Sequence, residues 1–148
     1  MELQHKHLTE RIISAAIRVH KELDPGFLEA MYEEALAIEL TAAGLAFERQ
    51  KLLPVFYREH LIGEHRLDFL VEGKVIVELK AISALEDIHF AIVRSYLKAA
   101  NLHDALVLNF ASERLIVSGS DANTTHRPKE KILSRDLPGF LDSRFNHA

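Results

Sequence analysis

Apolar and polar positions recur with two different periods along this chain, and the changes of period mark out its elements. From Leu8 to about Leu23, Ile12, Ile13, Ala16, Ile17 and Val19 fall on one side of a helix, with Thr9 placed to cap its start. His20, near the end, is expected at the surface or against the helix dipole. Asp24-Pro25-Gly26 breaks this helix and opens a second, from Gly26 to about Ala43. There Phe27, Leu28, Met31, Ala35, Ile38 and Leu40 are expected to pack, Glu33 and Glu34 to face water, and Gly44 to end the helix. A long extended stretch runs from Phe47 to about His60, and Pro54 suits an edge strand because it has no N–H to donate. Leu61-Ile62-Gly63-Glu64 is read as the turn into the next strand.

The most informative stretch follows, RLDFLVEGKVIVELK from Arg66 to Lys80. It reads as two strands joined at Glu72-Gly73-Lys74. VIVEL is almost continuously β-branched and apolar, the pattern of a strand buried on both faces. Alternation puts Ile76, Glu78 and Lys80 on one face. An unpaired buried charge costs several kcal/mol, so two charges in such a strand require a reason. With a three-residue loop, Val71 pairs with Val75 and Asp68 lies opposite Glu78; a two-residue loop would send the two acids to opposite faces. Facing acids repel unless a proton, a lysine or a metal ion lies between them. An edge-strand ion pair of Glu78 with Lys80 is the plainer alternative.

Downstream, Ser83-Ala84-Leu85-Glu86 has the form of a capping box for a helix reaching about Leu102. Phe90, Val93, Leu97 and Ala100 would face the core, with His89, Ile92 and Tyr96 in a second stripe. Two strands, Ala105 to Phe110 and Arg114 to Val117, complete the pattern. Two helices, a three-strand meander, a crossover helix and two strands together indicate an α/β fold with a mixed sheet. Residues 1–117 would form this domain. Residues 118–148 read as its polar loop and C-terminal extension, with a short helix from Lys129.

Composition narrows the chemistry. The 148-residue chain carries no cysteine, which excludes disulfides, thiolate metal sites and a cysteine nucleophile. No apolar run approaches the ~20 residues of a membrane span, and no signal peptide is evident, so a cytoplasmic location is expected. A net charge of −4 argues against a protein that coats nucleic acid, though not against an enzyme that touches it through a local patch. Arg11, Arg18, Lys51, Arg58, Arg66 and Arg94 are the candidates for such a rim.

The spacing of Asp68, Glu78 and Lys80, D-x9-E-x-K, resembles the active-site signature of the PD-(D/E)XK nuclease superfamily. GFLEAMY, from Gly26 to Tyr32, is similar to the motif that names its GxxExxY group. The resemblance spans roughly residues 8 to 117 and implies a restriction-endonuclease-like mixed sheet flanked by helices. It implies Mg²⁺, with Mn²⁺ as a substitute, held by Glu29, Asp68 and Glu78, with the Leu79 carbonyl as an additional ligand. It makes Glu29, Asp68, Glu78 and Lys80 catalytic and Tyr32, His89 and Tyr96 supporting or substrate-positioning groups. On the residues alone, Glu29 also reads as a first-turn acid and Tyr32 as a core edge. The implied reaction is hydrolysis of a phosphodiester in nucleic acid, DNA ahead of RNA. One departure is visible: related nucleases place a glutamine four residues before the tyrosine of the following helix, and here that position is Ile92. The alternative is a nuclease-fold module, weak or inactive, that binds a protein partner or a second copy of itself.

Overall fold

The computed structural model describes residues 5–121 and 130–133. Helix α1 (Lys6–Leu23) buries Ile12, Ile13, Ala16, Ile17 and Val19 as its periodicity requires. Thr9 does not cap it; it lies buried inside the first turns and its hydroxyl donates to the Lys6 carbonyl at 2.8 Å. His20 is not at the surface. It is buried, with Nε2 2.8 Å from the Ser112 carbonyl oxygen and its ring tilted against Phe110. Asp24 and Gly26 both take positive φ, so Asp-Pro-Gly forms a turn of its own, and α2 (Glu29–Ala42) begins later than expected.

The packed face of α2 is Tyr32, Leu36, Ala37 and Leu40. Leu40 and half-buried Ala35 match expectation, whereas Phe27, Leu28, Met31 and Ile38 are exposed, Leu28 to 71%. This segment is apolar nearly all round, so periodicity alone could not fix its rotation. Gly44 ends it at φ +76°, a conformation glycine adopts without penalty.

Strands β1 (Phe47–Tyr57), β2 (His60–Val71), β3 (Val75–Lys80), β4 (Asp104–Asn109), β5 (Leu115–Asp121) and β6 (Glu130–Leu133) form one sheet in chain order. Only β3 and β4 run parallel, joined across one face by α3 (Asp87–Ala100). The first hairpin turns at Arg58-Glu59, both at positive φ, with Tyr57 paired to His60. Leu61-Ile62-Gly63-Glu64 therefore lies within β2. A two-residue turn of this hand normally carries Asn or Gly, so Arg-Glu gives no sequence signal. Glu86, not Ser83, caps α3, in a reciprocal pair with His89. β5 runs past Ser118, where a polar loop was expected, and Glu130–Leu133 is a strand rather than the start of a helix. The rest of that C-terminal extension lies outside the described residues.

The sheet separates two cores. Under α1 and α2 lie Phe69, Val71, Val75, Val77, Leu79, Leu106 and Leu108. Under α3 lie Ile76, Ala105 and Val107 with Phe90, Val93 and Leu97. Leu67 belongs to the α3 core although Phe69, two residues on, belongs to the other. Phe47 and Leu53 on β1 divide in the same way. The first hairpin is thus turned over along its length, and the turnover falls around Gln50 and Asp68.

Candidate active site

The second hairpin has the three-residue loop that brings its acids together. Val71 pairs with Val75, Leu70 with Ile76 and Phe69 with Val77. There the backbone ladder stops. At the next position side chains take over: the Asp68 N–H donates to Glu78 Oε1 at 3.0 Å, and the Leu79 N–H donates to Asp68 Oδ2 at 2.9 Å. Each carboxylate occupies the place of a carbonyl of the opposite strand. The strands separate beyond this point, and the two acids hold the fork.

Burial and proximity set the electrostatics. Glu78 is 5% exposed. Its pKa is pushed up to about 8, first by burial and then by the negative charge of Asp68, with Lys80 opposing. Asp68 is also raised, chiefly by burial and further by the charge of Glu33, against a lowering by its bond from Leu79. Glu29, at the exposed start of α2, lies near the Ala81 N–H and feels both Lys80 and Asp68. Burial is the main reason that its pKa rises too. Tyr96 faces the same centre; its hydroxyl is raised to about 12 by burial and by Glu78 and Asp68. Glu29, Lys80 and Tyr96 are thus near enough to Asp68 and Glu78, at the end of β3, to interact with them electrostatically.

Tyr32 and His89 are used differently. Tyr32 is fully buried; its hydroxyl donates to the Asp24 carbonyl at 2.5 Å and accepts from the Phe27 N–H at 3.2 Å. Its ring stacks on Phe110 at 4.7 Å. It ties down the turn that leads into Glu29 and is not placed to touch a substrate. Tyr32→Phe should therefore keep the stack but lower stability by about 1 kcal/mol, the net worth of an ordinary intramolecular hydrogen bond. Urea unfolding measures this, and an unchanged midpoint would refute the role. His89 sits in the α3 cap, its Nδ1 accepting from the Glu86 N–H at 2.8 Å.

Further residues join the site without having been expected there. Glu33, read as solvent-facing, points to the centre, with Oε2 2.7 Å from Arg49 and Oε1 accepting from Gln50 at 2.6 Å. Gln50 also donates to Asp68 Oδ1 at 3.4 Å. His65 packs against Tyr96 with ring centroids 4.7 Å apart and meets Ser95 Oγ at 3.2 Å. Only the i, i+4 spacing of Glu29 and Glu33 was a usable signal in the sequence. Of the expected basic rim, Arg18 pairs with Glu39, Arg11 with the Ala43 carbonyl and Lys51 with Glu48, while Arg58 lies over Tyr57 at the hairpin tip.

Residues 6–118 match the PD-(D/E)XK nuclease superfamily. The chain belongs to that superfamily. No curated protein and no solved structure gives a match. The mixed sheet with helices on both faces is consistent with the PD-(D/E)XK fold, and the split hairpin lies inside the matched region. Glu29, Asp68 and Glu78 offer hard carboxylate oxygens, the type of donor that Mg²⁺ prefers. Among the described residues, no three acids or imidazoles stand close enough together to grip an ion as they are. Asp68 and Glu78 instead spend oxygens on backbone N–H groups. Among the described residues, no helix is long and apolar enough to cross a membrane.

Proposed function

We propose that this PD-(D/E)XK protein is a Mg²⁺-dependent phosphodiester hydrolase acting on DNA, of the GxxExxY type. One observation carries the reading: Asp68 and Glu78 face each other in an otherwise apolar hairpin, with Glu29 and Lys80 near enough to shift their charge states. A strand keeps a carboxylate at such a position against its own desolvation cost, which is what a functional site looks like electrostatically. Glu29, Asp68 and Glu78 would hold the ion. Mg²⁺, when bound, supplies positive charge against the phosphate and makes water more acidic. Lys80 donates to the scissile phosphate and offsets the charge that builds on it. Tyr96 borders the same space and orients the phosphodiester through its hydroxyl.

The alternative, a weak or inactive nuclease fold that binds a partner, draws support from Ile92 and from the exposed Phe27, Leu28, Met31 and Ile38 on α2 and the turn before it. Two measurements separate the readings. Purified protein should cleave single- or double-stranded DNA in Mg²⁺ or Mn²⁺ and not in a chelator. In the absence of DNA, a hundredfold excess of Mn²⁺ over its dissociation constant should stabilise the fold by about 2.7 kcal/mol. For a domain of this size that is a melting shift of roughly 6–10 °C. Absence of both responses would remove the hydrolase reading and leave the binding module.

A further inference from the structure

Gln50 occupies a conformation that its sequence neighbours do not need. It lies on β1 between Arg49, which pairs with Phe69, and Lys51, which pairs with Leu67, so its register partner is Asp68; yet the two make no ladder pair. Its φ is +49°, in the left-handed region that residues other than glycine enter at a cost. The residue is exposed, so packing does not impose this backbone. The contacts of its side chain supply a reason. The two hydrogens of Nε2 serve two acids from different elements, Glu33 Oε1 of α2 at 2.6 Å and Asp68 Oδ1 of β2 at 3.4 Å.

The strained backbone makes this possible. Consecutive side chains of a regular strand point to opposite faces. Here Arg49 and Gln50 are consecutive and both reach Glu33, Arg49 through Nη2 at 2.7 Å. The left-handed backbone at Gln50 re-aims its side chain, and it does so where the hairpin turns over. Asp68 is consequently held at both oxygens, by Gln50 on one and by the Leu79 N–H on the other. Glu33 is held at both of its own, one turn beyond Glu29.

We propose that Gln50 is a positioning residue for the carboxylate centre: its amide ties Asp68 to α2 through Glu33 and so fixes where Asp68 stands relative to Glu29 and Glu78. The proposal rests on the hydrolase reading above and specifies how that site is kept in order without an ion. Gln50 itself does not touch substrate.

Three variants test it. Gln50→Gly accepts the positive φ freely and deletes the amide. Gln50→Asn also tolerates that backbone but is too short by one carbon to span both acids. Gln50→Ala removes the amide while keeping a side chain. Melting temperature, Mn²⁺ affinity by calorimetry without DNA, and the separate values of kcat and KM for DNA cleavage are recorded for each. Gln50→Gly should melt at or above the wild-type temperature, yet it and Gln50→Asn should bind Mn²⁺ about tenfold more weakly. Both should lose about tenfold or more in kcat, with KM within about twofold, because misplacement by around 1 Å is enough to cost this much. Gln50→Ala should follow them in affinity and kcat, and serves as the readout should the glycine variant not fold. Wild-type Mn²⁺ affinity and kcat in Gln50→Asn and Gln50→Ala would overturn this proposal alone and leave Gln50 with a purely local backbone role. Wild-type protein that neither binds Mn²⁺ nor cleaves DNA would overturn it together with the hydrolase reading.

Discussion

Lys80→Ala is expected to lower kcat/KM for Mg²⁺-dependent DNA cleavage about 10²–10³-fold, the usual loss when one donor to the developing phosphate charge is removed. Lys80 closes β3 at the fork, where its backbone carbonyl accepts from the Phe110 N–H. That bond survives the substitution, so the strand end should stay in place. With Glu29, Asp68 and Glu78 ionised, the centre carries three negative charges against the one on Lys80, a sum of −2 that a divalent cation balances. Removing the lysine makes the sum −3, so the variant should bind Mn²⁺ at least as tightly as wild type while turning over far more slowly. That separation of binding from turnover is the diagnostic. Equal rates for the variant and wild type, measured on the same DNA with intact circular dichroism, would show that Lys80 has no part in the reaction.

Glu78→Gln is expected to stabilise the metal-free protein at pH 8 and above and to flatten its pH dependence. The sign follows from the raised pKa. The folded state holds the Glu78 proton up to about pH 8, whereas the unfolded chain releases it near the ordinary value of 4.5. A group shifted upward contributes its stability in full below the unfolded value and loses it as pH climbs through the folded one. Wild-type stability should therefore fall between about pH 4.5 and pH 8. The size is on the order of a few kcal/mol, because each tenfold gain in proton affinity on folding is worth about 1.4 kcal/mol. Glutamine imitates the protonated acid and can keep the acceptor oxygen for the Asp68 N–H, so the variant should show a shallower decline, the remainder coming from Asp68 and Glu29. Denaturant unfolding at pH 5, 7 and 8.5 with a chelator present measures it. Parallel pH profiles for the two proteins would refute the assignment of a raised pKa to Glu78.

Much of this architecture could be read from the chain because strong local patterns agreed with the fold. VIVEL behaves as a strand buried on both faces, and the Glu-Gly-Lys connection has the length that sets Asp68 against Glu78. Asp68, Glu78 and Lys80 were legible because charges in an apolar strand stand out. What could not be read depended on rotation and twist. α2 is apolar on most sides, so its periodicity does not separate the exposed face from the buried one, and the hydroxyl of Tyr32 hides that its ring is fully buried. Glu33 looked like a surface acid because its partners, Arg49 and Gln50, arrive from a strand more than a dozen residues away. Gln50 carried no signal at all: nothing in FERQKLL marks a left-handed residue. Ser83 lost the α3 cap to Glu86 because His89 offered a reciprocal acceptor three residues on, a pairing outside the usual Ser/Thr–Glu pattern.

The fork also bears on how a chain like this one would change over generations. Its two acids serve as surrogate main-chain acceptors, and a neutral amide at Glu78 would do that work with less conflict. Drift governed by folding alone would therefore erase the charge first, and the sheet would gain from the loss. The charge at Glu78 is thus a cost borne by the fold, one that a single base change at the first codon position would relieve.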